Sequence, residues 1–246
     1  MSKSLQSFEG KIRSLRQHAQ LSDVAFAAVN KVCIQNSGNG QTIAKTLGTT
    51  TAKHPQLNIP NESRDISRVF ATSRIKVNEQ ALIELYSFFA DYVSGVIREL
   101  EDKDPNRILG FVPPQNNTDL SYKDILTLGN YNAILDEIAK RVFRALEDER
   151  STPKLLKKFI KTAKLNVPVN IQQNALVFLE TRHLIIHNNS KADAKFNALN
   201  NTGLVQVNAT NKKIAINYTL TSAAIDAVSL LCRTLDVELV RVGLIN

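Results

Sequence analysis

Leu82, Leu85, Phe89, Tyr92, Val96 and Leu100 recur at spacings of three and four, the signature of one apolar helix face. That stripe predicts a core helix over residues 79–103, and most of the chain repeats the pattern. Leu5, Phe8, Ile12, Leu15 and Ala19 form an earlier stripe, which Val24, Ala27, Ala28 and Val32 continue after Ser22, a suitable helix cap. Ser121 with Asp124 three positions on reads as a capping box, and Ile134, Ile138, Val142, Ala145 and Leu146 mark a helix closing near Arg150. Ser151-Thr152-Pro153 is a start signal for a helix to about Lys164, and Pro168 separates it from another over 170–187. A final long helix carries Leu220, Ala224, Val228, Leu231, Leu235 and Leu239. The period changes only after Asn188. There Leu204, Val205 and Val207 face Ile214 and Ile216 across a polar turn, which predicts a short hairpin. No heptad pattern is sustained enough for a coiled coil. The expected fold is mostly α, a helical bundle with a small β-hairpin before the C-terminal helix.

Residues 37–61 interrupt this with Gly38, Gly40, Gly48, Pro55, Pro60 and a run of threonines, and read as loop or linker. They divide the chain into an N-terminal helical arm with a flexible linker, 1–61, and a main helical domain, 62–246. With 246 residues, the chain is long enough to build a core without covalent staples. Cys33 and Cys232 stand far apart, in neither metal-ligand nor redox spacing. Lys3, Glu9, Lys11 and Arg13 leave no apolar stretch for a signal peptide, and no segment is apolar enough to span a bilayer. A cytoplasmic protein without membrane contact is expected. The net charge of +8 favours a polyanionic partner once the excess is located on one surface.

The informative stretch is Glu180-Thr181-Arg182-His183-Leu184-Ile185-Ile186-His187-Asn188-Asn189, at the end of a helix. On a helical wheel Ala175, Phe178, Leu179, Ile185 and Ile186 make one apolar stripe with Arg182 in its middle. A guanidinium on a core-facing stripe is costly unless it meets a partner or a wet cleft. His183 and His187 share the other face, with Glu180 three residues before His183. Histidines four apart on a helix can chelate zinc, so a metal-dependent hydrolase built on Glu180, His183 and His187 is one reading. A polar, solvated helix end is the plain alternative.

Arg182, the polar His183, three further residues and His187 resemble the Arg-polar-x-x-x-His motif of HEPN domains. The aromatic-rich helix LIELYSFFADYVSGVIREL, the segment STPKLLKKF and the polar loop, hairpin and last helix extend the likeness over residues 79–243. The resemblance implies a helical bundle that pairs as a symmetric homodimer and acts as a metal-independent endoribonuclease without cofactor. It further implies a prokaryotic toxin or antiphage defence effector, with an antitoxin or a nucleotidyltransferase-like protein as a partner. In such a site His187 would move protons, Arg182 would balance developing phosphorane charge, His183 would position substrate or support His187, and Asn188 would orient the scissile group. Arg182 and His187 stand about 140° apart on an ideal wheel, so one straight helix cannot aim both at one phosphate. Either the helix unwinds near Asn188 or a two-fold interface completes the site, and the family's dimeric site favours the second.

Lys154, Lys157, Lys158, Lys161 and Lys164 form a basic face opposite Leu155, Leu156, Phe159, Ile160 and Ala163. Such a face is either ordinary solvated surface or a track for RNA phosphates. Tyr86, Phe88, Phe89 and Tyr92 read as core or dimer contacts, not as base-stacking platforms. Gly38-Asn39-Gly40 lacks the Lys-Ser/Thr of a phosphate-binding loop. The competing functional reading is a non-catalytic HEPN module that binds RNA or a nucleotidyltransferase-like partner.

Overall fold

The computed structural model describes residues 1–104, 111, 120–147 and 152–245 and is mostly α-helical. Helices α1 (Lys3–Gln35) and α3 (Ser63–Lys103) pair antiparallel along their lengths, roughly 50 and 60 Å at 1.5 Å per residue. Side chains fix the register from end to end. Ser4 donates to Glu99 at 2.5 Å, Lys11 pairs with Asp91 at 2.6 Å, and Arg74 pairs with Asp23 at 2.5 Å. Phe8 rests against Tyr92 near one end and Phe26 against Phe70 near the other. Gly95 marks the closest approach, since a Cβ there would lie 2.4 Å from Ser4 Oγ.

Two expectations about α1 change. The helix runs straight through Ser22, because nothing from Lys11 to Gln35 breaks the backbone ladder. Its inward side reads Leu5, Phe8, Ile12, Leu15, Ala19, Ser22, Phe26, Val29 and Cys33, an unbroken alternation of three and four. A coiled-coil-like seam is therefore present, with polar Ser22 masking its continuity in the sequence.

Nor does α1 stand apart as an arm. Leu5, Phe8, Ile12 and Leu15 belong to the same core as Leu85, Phe89, Phe178 and Leu235. Ser2 caps α1, and its amide and hydroxyl both donate to buried Asp236, so the start of α1 is tied to the last helix. The stretch expected as linker also folds. A short α2 (Ile43–Thr46) and a 3₁₀ turn at Pro55–Leu57 bury Ile43 against Cys33, Ile66 and Phe70. Asn61 closes that loop by donating to Asn36 O at 2.8 Å and Thr46 Oγ1 at 3.0 Å.

The other helices are α4 (Tyr122–Leu128), α5 (Tyr131–Glu147), α6 (Thr152–Thr162), α7 (Val169–His187), α8 (Ala194–Leu199) and α9 (Tyr218–Arg241). The capping box of Ser121 and Asp124 is present at α4. Ser151, Arg150 and most of the loop over 105–118 lie outside the described residues, but Phe111 is buried with its ring 5.6 Å from that of Phe159. Helices α7 and α9 pack together against α1 and α3, and α5 and α6 close the flank. Short α8 was not foreseen; Asp193 caps it and Phe196 anchors it. The expected hairpin is a single antiparallel bridge, Val207 to Ile214, and a second bridge joins Lys191 to Lys213. No helix among the described residues is long and apolar enough to cross a membrane.

Glu101 near the end of α3 is buried, and its Oε1 has no hydrogen-bond partner. Burial, reinforced by the charges of Asp102 and Asp136, pushes its carboxyl up to about 7 against the opposing pull of Arg98. The folded chain thus keeps a proton that the unfolded chain releases, so this group lowers stability as pH rises from about 4.5 to about 7. Glu101→Gln should therefore raise the urea midpoint at pH 8 and lose most of that advantage at pH 5.

Candidate functional site

Helix α7 keeps its geometry through His187, so the motif does not unwind before Asn188. Ala175, Phe178, Leu179 and Leu184 are buried, and Ile185 is half-buried against the core. Ile186 departs from the expected stripe: it is exposed together with His183 and His187, and these three form one outward face. The two imidazole rings lie side by side, their centroids 5.0 Å apart.

Arg182 is half-buried, and its guanidinium carbon lies 4.4 Å from the centre of the Tyr86 ring on α3. A cation over an aromatic face at that range contributes about 1–2 kcal/mol when partly desolvated. This is the partner that a charged group on the core-facing side requires. The Arg182 side of α7 is thus largely covered within the chain, because α3 packs on it. Of the aromatic group on α3, Phe89 and Tyr92 are core, Phe88 is partly buried under Lys11, and Tyr86 packs on the core while holding Arg182.

Glu180 lies on the same side of α7 as His187, about 20° away on the wheel, but is not exposed with the histidines. It is buried and ion-paired to Lys195 at 3.5 Å, which takes it away from the two exposed rings. Among the described residues no three His, Cys, Asp or Glu side chains converge as a ligand set. The arrangement offers a fixed cation and two exposed imidazoles instead.

Beyond His187 the chain reverses sharply. The amides of Asn188 and Ser190 both donate to Leu184 O, at 3.0 and 2.8 Å. Asn189 and Ser190 follow with φ of 49° and 60°, left-handed values costly for residues with a Cβ. Ser190 donates to Glu79 at 3.3 Å, and Glu79 also takes Lys76 at 2.6 Å. Asn188 donates to Lys191 O at 2.6 Å, so its amide group shapes the turn. The same stretch of α3 therefore supports the motif twice, at Tyr86 and at Glu79. Sequence reading had no signal for either, because both contacts join residues far apart in the chain.

On α6 the lysine face forms over Lys154, Lys157, Lys158 and Lys161, but the helix ends at Thr162 and Lys164 lies beyond it with a left-handed φ of 53°. Lys154, Lys157, Lys161 and Lys164 are exposed and Lys158 is half-buried, while Leu155, Leu156, Phe159 and Ala163 are buried. Lys164, however, precedes the start of α7, and His187 lies at its far end, ~27 Å away along the helix. A separate apolar cleft of 360 Å³ lies between α1, α2 and α3, lined by Phe26, Val29, Ile43 and Phe70. No lining residue is titratable, so the cleft offers neither acid, base nor cation. Comparison of the chain with protein-family models, with curated proteins and with solved structures finds no match.

Proposed function

We propose that this chain is a HEPN-type endoribonuclease, metal-independent and homodimeric, of the kind that serves as a prokaryotic toxin or antiphage effector. The observation that carries the reading is the pairing of a half-buried Arg182, fixed on Tyr86, with two exposed imidazoles, His183 next to it and His187 five residues further along the helix. The order of long helices, with the motif ending α7 and a polar loop leading to the last helix, supports a HEPN-like bundle.

The reaction needs no group beyond these and the RNA itself. The 2′-oxygen attacks the adjacent phosphorus, its proton passing to an imidazole, and the bond to the 5′-oxygen breaks as that oxygen gains a proton. The products are a 2′,3′-cyclic phosphate and a 5′-hydroxyl. Imidazole exchanges protons near neutral pH, and a guanidinium is the cation suited to the crowded phosphorane oxygens. Because α7 stays helical through His187, Arg182 and His187 of one chain point in different directions. A second copy docking on the face of His183, Ile186 and His187 would complete the constellation.

The test is incubation of the full chain with total RNA, with and without EDTA, beside His187→Ala. Cleavage that survives EDTA and is lost in the variant is the expected result. Loss with EDTA and recovery with zinc or manganese would transfer the reading to a metal-dependent hydrolase. Sedimentation should show a dimer at micromolar concentration, and an active monomer would remove the two-fold site. One observation favours the non-catalytic alternative, an RNA- or nucleotidyltransferase-binding module. Arg182 is engaged with Tyr86, a contact that packing alone would justify. Binding of RNA without cleavage would decide for it.

A further inference from the structure

The turn after the motif collects three lysines that no sequence pattern joined. Lys191 and Lys213 face each other across an antiparallel bridge. Ile214 N donates to Ser190 O at 2.9 Å and Ala192 N to Lys212 O at 2.8 Å, so the lysines form the non-hydrogen-bonded pair between them. Of the two antiparallel pair types, this is the one whose side chains stand closest, on one face. Like charges directly opposite are unfavourable. Next to Lys213 in the chain, Lys212 lies in the left-handed region at φ 58°, where glycine or asparagine would be cheaper.

The loop that presents them is tightly built. Asn208 Oδ1 accepts from the amides of Thr210 and Asn211 at 2.9 and 3.2 Å, and Asn211 Oδ1 accepts from Lys213 N at 2.9 Å. All three lysines are exposed. Of the carboxylates on the adjoining elements, Glu180 is engaged by Lys195, Glu79 by Lys76 and Asp193 by the Phe196 amide. Lys191 also lies on the turn that ends α7, its amide donating to Asn188 O at 2.9 Å. Two positive charges are thus held face to face on the turn that follows His187, with a third next to them in the chain, at positions where local physics favours other residues. Such concentrations of broken local rules mark functional sites.

We propose that Lys191, Lys212 and Lys213 form a cradle for an RNA phosphodiester next to the one cut at His187. The inference rests on the endoribonuclease reading and names the binding surface of that same site. An ammonium is a compact point charge with three donors, suited to a phosphate whose orientation differs from one RNA to the next. Phosphate charge would also relieve the Lys191–Lys213 repulsion, so binding and the local cost cancel in the complex. The α6 lysines begin at the other end of α7 and would contact more distant backbone, if any.

The experiment uses the full chain carrying His187→Ala, so that a short labelled single-stranded RNA binds without being cut. Adding Lys191→Gln and Lys213→Gln should weaken binding about tenfold and flatten the slope of log affinity against log salt by about 1.4, roughly 0.7 for each lost contact. Lys191→Arg with Lys213→Arg should keep the affinity. The glutamine pair should melt no lower than its parent, because it removes a like-charge contact. With His187 restored, the glutamine pair should lose cleavage chiefly through a KM raised about tenfold. Unchanged affinity and slope would overturn the cradle while leaving the nuclease reading to the His187 variant. Lost affinity with a lower melting temperature, not recovered by arginine, would show a structural role and equally overturn it. RNA neither bound nor cut by the wild-type chain would end both readings.

Discussion

Arg182→Ala and His187→Ala should each lower RNA cleavage by about 10²–10⁴-fold while the fold survives. The two losses have different physical sources. His187 is exposed and caps nothing, so its removal should change stability by no more than about 0.5 kcal/mol. What disappears is a proton carrier beside the second ring, 5.0 Å away. Arg182→Ala removes a cation from the site and also its stacking on Tyr86, at a cost of about 1 kcal/mol, or about 2–4 °C in Tm for a chain of this length. Circular dichroism melts and a labelled-RNA cleavage assay on the same preparations separate the two effects. Loss of cleavage in both is the expected result, with His187→Ala melting like wild type and Arg182→Ala about 2–4 °C lower. Full cleavage by either variant would end the catalytic assignment and leave the motif as packing on one side and solvated surface on the other. Double replacement should be scarcely worse than the more damaging single one, because groups serving one transition state do not contribute independently.

The sequence made the helices legible and left their joining obscure. Periodicity placed α7, α9 and the 79–103 part of α3, which begins at Ser63, because each carries a continuous apolar face, and it identified Arg182 because a charge interrupts such a face. The same method failed where one polar residue masks a longer rule. Ser22 hid the seam that runs the length of α1, and with it the evidence that α1 packs along α3 from end to end. It failed again over residues 37–61, where glycines and prolines suggested linker. There the buried anchor, Ile43, is one residue on a helix of four, too short for any period to register. The hairpin was expected from apolar alternation, but alternation cannot say how many pairs form, and Val207–Ile214 is a single bridge. The supports of the candidate site were illegible for a related reason. Glu79 and Tyr86 reach the end of α7 only once two helices have packed, and Lys191 meets Lys213 only once the loop between them has closed.

Tyr86 is where packing and chemistry meet, and its replacement should separate them. The guanidinium of Arg182 has three rotatable bonds beyond Cβ, and an exposed arginine would sample many positions. Lying 4.4 Å from the ring centre, it is confined to a plane above Tyr86 before any RNA arrives. Tyr86→Leu keeps an apolar side chain against the core but removes the π face. Cleavage should then fall by about 10–10²-fold, mainly in kcat, because the cation is still present and only its position is lost. KM should change much less. Tyr86→Phe keeps the ring and should retain most of the rate, which a role confined to the hydroxyl would not allow. The stability cost of the leucine variant, about 1–2 kcal/mol from the lost stacking and the smaller buried area, should leave the protein folded at the assay temperature. Equal impairment of the leucine and phenylalanine variants would move the function to the hydroxyl. A leucine variant as active as wild type would mean that Arg182 finds its place on the phosphate without help from α3. The contact would then be packing alone, and the strongest structural support for the nuclease reading would be gone.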